Sequence, residues 1–112
     1  ANNGVMKEPY IVKSIQSDQA VLYEHSEKEL SKVTDPSVIQ KLNPYLASTA
    51  QLYGLTGKVY AKTGTAELAD GKTHIYLLAY TNDYAICLSL NHQTQSSRLI
   101  PLANRLLHYL QK

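Results

Sequence analysis

Three runs of strand character, at 58–68, 73–80 and 84–90, follow one another closely, with Asp70-Gly71 and Asn82-Asp83 between them. Asp-Gly is among the strongest two-residue hairpin signals, because both turn positions ask for positive φ, so the runs read as an antiparallel meander. The end of the chain then sets Leu99, Ala103, Leu106, Leu107 and Leu110 on one stripe, with Arg98, Asn104, Arg105 and Gln111 largely off it. That is an amphipathic helix, and its apolar stripe has to be buried on something, most economically on the meander. The expected class is therefore α+β: a three-strand antiparallel sheet with a C-terminal helix packed on it.

Upstream, 9–15 is rich in β-branched and aromatic residues, Gln16-Ser-Asp18 supplies turn chemistry, and 20–23 is a second short run, together an N-terminal hairpin. Residues 24–34 are polar without clear periodicity and read as a solvated connection. Glu27, Lys28 and Glu29 there are a mixed charge run of the kind that forms a solvated face. Asp35-Pro36 is a helix start, with Asp as N-cap and Pro at the first helical position, followed by Val38, Ile39, Leu42, Leu46 and Ala50 at helical spacing. Pro44 interrupts that pattern and predicts a kink or two short helices.

Several function classes are disfavoured. The net charge of +2 comes from scattered basic residues with no run and no aromatic interleaving, which argues against nucleic acid as a partner. Cys87 is the single cysteine, so an internal disulfide is excluded; within the apolar run 84–90 it reads as a small buried hydrophobe. The histidines at 25, 74, 92 and 108 lack ligand-like spacing, so neither metal nor cofactor is expected. Tyr76, Tyr80 and Tyr84 are expected to cover sheet faces with their hydroxyls toward water. No run approaches the roughly 20 apolar residues of a membrane span, and the opening residues lack signal-peptide character, so this segment is expected to be soluble and without membrane contact. A chain of 112 residues buries only roughly 65% of its unfolded surface, and the core is thin if some faces were built to pack against other material.

The stretch that could carry chemistry is Val59-Tyr-Ala-Lys-Thr-Gly-Thr-Ala-Glu67, with Lys62, Thr63, Gly64 and Thr65 at its centre. A glycine in an edge-lying strand lets an extended peptide approach the backbone where a Cβ would obstruct it, and strand addition then sets the register of that peptide. The hydroxyls of Thr63 and Thr65 beside the ammonium of Lys62 suit a carboxylate. Glu67 reads as an exposed strand carboxylate. A bare Lys-Thr-Gly is a common match; here it sits in a strand, followed by a hairpin, a second strand and a closing helix.

That arrangement resembles the penicillin-binding transpeptidase domain, and the likeness runs over nearly the whole chain. Ala1-Asn-Asn-Gly-Val5 with Pro9-Tyr-Ile-Val12 is similar to the family's Ala-Asn-Gly-Gly and Pro-Tyr-x-Val strand, and Lys62-Thr-Gly-Thr-Ala-Glu67 matches its active-site strand. The resemblance implies penicillin binding and peptidoglycan D,D-transpeptidation in cell-wall synthesis. Lys62 would supply positive field, Thr63 and Thr65 would bind the substrate carboxylate of D-Ala-D-Ala or a β-lactam, and the Thr65 N–H would form half of the oxyanion hole. The departure is that none of the nine serines, at 14, 17, 26, 31, 37, 48, 89, 96 and 97, has a lysine three places on. Ser89-Leu-Asn91 spells the family's Ser-x-Asn, yet follows the Lys-Thr-Gly strand where the family's precedes it. The expectation is that residues 1–112 are the C-terminal portion of the domain, inactive alone and packing on a missing N-terminal part. The whole protein would be anchored and would work at the extracytoplasmic face of the bacterial cytoplasmic membrane. A β-lactam sensor, a D,D-carboxypeptidase and a non-catalytic binding module remain as alternatives.

Overall fold

A computed structural model describes residues 1–110, so Gln111 lies outside the described residues. Asn2–Ile39 form one compact unit and the chain from Gln40 onward forms the other.

In the first unit, β1 (Val5–Lys7) pairs antiparallel with β4 (Glu29–Lys32), and β2 (Ser14–Gln16) pairs antiparallel with β3 (Val21–Glu24). The expected hairpin is present as β2 and β3. Residues 9–12 lie in neither strand pair, and 24–34 is not a plain connection, because β4 falls inside it. All four residues of β4 are exposed, so the strand leaves no alternation in the sequence. Backbone bonds from Glu8 N to Lys28 O and from His25 N to Lys13 O flank the break, while Tyr10 stacks on His25 and Lys7 pairs with Glu27 across it. The Lys7 partner holds the Glu27 carboxyl below the usual carboxylate range. The unit is thus one long hairpin interrupted where Pro9 can donate no ladder bond. Gly4 has φ +85°, and a Cβ there would collide with the Thr34 carbonyl oxygen. Its own carbonyl accepts from Val33 N at 2.8 Å and Thr34 N at 3.2 Å, so this position needs glycine for both conformation and space.

α1 (Pro36–Leu52) is a single helix with Pro44 inside it, so of the two expected forms, a kink or two short helices, the second is corrected. Pro44 removes only the bond that Gln40 O would have accepted, and the helix continues on either side. The Asp35 carbonyl accepts from Val38 N at 3.0 Å, and its carboxylate pairs with Lys32.

The second unit carries the meander, β5 (Tyr60–Glu67), β6 (Thr73–Tyr80) and β7 (Ala85–Asn91), in the order β5-β6-β7. A 3-10 turn (Ser96–Leu99) leads into α2 (Ile100–Leu110). Ala61, Ile75, Leu77 and Ala79 form one sheet face with Ile86 and Leu88, and bury against Leu99, Ala103 and Leu107, with Leu55 and Val59 from the loop before β5 and Ala50 of α1 in the same cluster. Helix on sheet is as expected. Neither hairpin uses the two-residue positive-φ turn. At Leu68–Lys72 only Gly71 has positive φ, Gly71 N donates to Leu68 O at 3.0 Å, and Leu68 N donates to Lys72 O at 2.8 Å, a three-residue loop closed by a left-handed glycine. Lys72 donates to Asp70 through both its backbone and its ammonium, which holds the Asp70 carboxyl below its ordinary range. At the other turn the Thr81 hydroxyl accepts from Asp83 N at 3.2 Å and Tyr84 N at 3.1 Å.

Asn104, expected only to sit off the apolar stripe, ties α2 to the loop before β5. Its Nδ2 donates to Gly54 O at 2.9 Å, and its Oδ1 accepts from Thr56 N at 2.9 Å and Thr56 Oγ1 at 3.3 Å. Water can replace part of this network, so Asn104→Ala is expected to cost about 1 kcal/mol in urea unfolding, whereas Arg105→Ala, on the exposed side, leaves the midpoint unmoved.

Candidate active-site strand

The geometry of β5 follows from one hydrogen bond and strand alternation. Leu68 N donates to Lys72 O, and these two residues stand directly opposite in the register that pairs Glu67 with Thr73. A directly opposed pair joined in this way belongs to the hydrogen-bonded set, and such pairs recur at every second residue. The register runs without a shift from Glu67↔Thr73 to Tyr60↔Tyr80. Ala66, Gly64, Lys62 and Tyr60 therefore direct their backbone groups at β6. Glu67, Thr65, Thr63 and Ala61 direct theirs the other way, and among the described residues β6 is the only strand paired with β5. The N–H and C=O of Thr63 and Thr65 consequently face an open strand edge.

Side chains alternate independently of this. Lys62 and Gly64 stand opposite Leu78 and Tyr76, on the face that α2 does not cover. Thr63 and Thr65 stand opposite Leu77 and Ile75, on the face that it does cover. Lys62 is exposed and its ammonium donates to Thr63 O at 2.6 Å, reaching around to the open edge. A Cβ built on Gly64 meets nothing within 4 Å, so the fold itself places no demand for glycine there. Thr65 is exposed. Thr63 is half-buried, and its hydroxyl donates to Tyr53 Oη at 2.7 Å, a partner that no spacing in the sequence announces. Glu67 is exposed, as expected.

The Lys62 face has a consequence for Cys87. Register pairs Leu78 with Cys87, so the thiol lies on the uncovered face and is exposed, not buried as the apolar run suggested. Leu78 itself is 55% exposed. Tyr80 also departs from expectation: it stacks on Tyr60 with ring centroids 4.9 Å apart, and its hydroxyl donates to Asn43 Oδ1 at 2.6 Å instead of pointing to water. Burial, and to a lesser degree Tyr60, pushes its phenol pKa up. Tyr84 is exposed, whereas Tyr76 is half-buried. Ser89 pairs with Tyr76, which pairs with Gly64, so a full strand separates the Ser89-Leu-Asn91 sequence from the Lys62 strand. No group of His, Cys, Asp or Glu among the described residues is arranged to hold a metal, and no helix among them is long and apolar enough to cross a membrane.

The open edge of β5 thus carries the backbone groups of Thr63 and Thr65, with the Lys62 ammonium, the two threonine hydroxyls and an unobstructed glycine on the same short stretch of strand. The family model described as the penicillin-binding protein transpeptidase domain matches residues 1–101, and the chain belongs to that family. Its fold is similar to a crystal structure of penicillin-binding protein A from Mycobacterium tuberculosis, with a TM-score of 0.85 at 18% identity, covering 99% of this chain and 29% of that one. A second structure of the same mycobacterial protein, a penicillin G acyl-enzyme complex, matches at a TM-score of 0.76 and 17% identity, with the same 99% and 29% coverage. The chain thus spans about three-tenths of the length of the solved structures it matches. A search of curated protein sequences finds no significant match.

Proposed function

We propose that this chain forms one wall of a serine D,D-transpeptidase site, with the nucleophile supplied by a part of the domain outside these 112 residues. The observation that carries the reading is the register of β5, which turns the Thr63 and Thr65 backbone groups to an open edge beside Lys62. In this reading the stem peptide, or a β-lactam in its place, lies along that edge as an added strand. The Thr65 N–H donates to the oxyanion formed when the serine attacks the carbonyl, and the Thr63 and Thr65 hydroxyls bind the ligand carboxylate while Lys62 supplies positive field. The serine releases D-Ala, remains acylated, and passes the acyl group to an amine of a second stem peptide. A β-lactam enters by the same attack and stops at the acyl-enzyme. The reaction would take place on the outer side of the bacterial cytoplasmic membrane, where peptidoglycan is cross-linked.

Two exposed apolar surfaces support a larger domain around the chain. Leu78 stands out of the face of the second unit that α2 leaves uncovered, and in the first unit Ile11 is fully exposed beside the half-exposed Tyr10 and Val12. Surfaces of this kind mark packing or binding sites. Gly64 gives the test. Its φ is not in the positive range and a Cβ there meets open space, so Gly64→Val is expected to leave the fold intact, valine being a good strand residue. In the full-length protein the added side chain obstructs the ligand beside Lys62, and displacement of the reacting carbonyl by an ångström is expected to slow penicillin acylation about 100-fold. Unchanged acylation in a folded Gly64→Val variant would remove the strand from the site. Supplying a D-Ala-D-Ala donor with and without an amine acceptor then separates transpeptidation from transfer to water, and a stable adduct with no turnover identifies a sensor.

A further inference from the structure

We propose that Tyr53 is a positioning residue for carboxylate recognition, acting through the Thr63 hydroxyl; this rests on the transpeptidase reading above. Tyr53 follows α1, ten residues before Thr63, and its Oη lies 2.7 Å from Thr63 Oγ1 in a half-buried pair. The two residues are brought together by the fold of the second unit, with Thr63 on the α2 side of the sheet.

The chemistry follows from counting protons. A threonine hydroxyl has one O–H to donate and two lone pairs to accept with, and a carboxylate can only accept. Both hydroxyl hydrogens of this pair can rotate, and in one polarity Thr63 donates to Tyr53 Oη. In that polarity it offers an incoming carboxylate nothing but lone pairs, which is repulsive. The pair can reverse: the phenol, a stronger donor than an aliphatic alcohol, donates to Thr63 Oγ1 and frees the Thr63 proton for the anion. No bond other than hydrogen bonds changes, and a chain of donors of this kind strengthens each member. Tyr53 thus keeps the Thr63 oxygen in place and, by donating a hydrogen bond to it, leaves Thr63's own O–H free to donate to the anion. Without the phenol hydroxyl the Thr63 side chain is free to rotate away from the ligand.

The experiment uses the full-length protein carrying this chain and two acylating probes, benzylpenicillin and its methyl ester, in which the carboxylate is masked. Tyr53→Phe removes one oxygen and keeps the ring; Thr63→Val removes the receiving hydroxyl and keeps the shape. The expected result is that Tyr53→Phe slows acylation by benzylpenicillin about tenfold, the size of one charge-assisted hydrogen bond, and leaves the ester rate unchanged. Thr63→Val is expected to do the same, and the double variant to lose no more than either single one. Equal loss on both probes, or additive losses in the double variant, would make Tyr53 a general structural support and overturn the proposal. Should Tyr53→Phe not fold, Thr63→Ser, which retains the hydroxyl, has to restore the preference for benzylpenicillin that Thr63→Val loses; failure to restore it counts equally against the idea. Absence of acylation of the unmodified, folded protein by either probe defeats the transpeptidase reading itself, an outcome distinct from a change in the ratio of the two rates.

Discussion

Thr65→Pro is expected to lower penicillin acylation of the full-length protein by about 100- to 1,000-fold while leaving the sheet in place. The register of β5 points the Thr65 N–H away from β6, so replacing it with a proline nitrogen deletes no ladder bond. Proline is tolerated in strands at such outward-facing edge positions. What is lost is one donor aimed at the oxyanion, and removing one such donor costs catalysis about two to three powers of ten. Two companion variants separate the causes. Thr65→Val keeps the N–H and removes the hydroxyl, so it should lose only the carboxylate contact. Ala66→Pro removes an N–H directed at β6, and should loosen the end of the β5–β6 pair near Glu67 and Thr73. If Thr65→Pro disrupts the sheet as much as Ala66→Pro does, the register argument is wrong and the oxyanion assignment goes with it.

Leu77→Ala is expected to produce the largest loss of stability, about 3 to 5 kcal/mol by urea unfolding. Leu77 lies at the middle of β6, fully buried between Thr63 and Leu88 and under the α2 stripe. Domains of this size have about 5 to 15 kcal/mol in total, so the variant approaches the unfolding threshold. Its neighbour Leu78 is a sharper probe of the surroundings, because it faces the other way. In the 112-residue chain Leu78→Ala should be nearly silent, since the side chain is already half in water. In the full-length protein it should cost several times more, if the uncovered face packs on the remainder of the domain. Equal effects in both settings would leave that face without a partner.

The meander and closing helix were legible because each carries a single, unbroken period. β6 matches the predicted 73–80 run, and Leu99, Ala103 and Leu107 of the expected stripe are buried. β4 was not legible, because a ribbon with both faces in water shows no alternation. The exposure of Cys87 has a related cause: an apolar run implies two buried faces, whereas α2 covers one and the other stands open. At the site, alternation alone separates Lys62 from Thr63 and Thr65 by face. The outward direction of their backbone groups depends on how the Leu68–Lys72 loop closes, and the Tyr53 partner depends on tertiary structure; neither leaves a mark in local sequence.

The most direct measurement is the intact mass of the full-length protein after penicillin treatment, with the 112-residue chain treated alongside. The account predicts one penicilloyl mass on the full-length protein, on a serine outside these residues, and none on the 112-residue chain. An unmodified full-length protein, under conditions where it is folded, would contradict the account and reduce the Lys62-Thr-Gly strand to a binding surface or a relic.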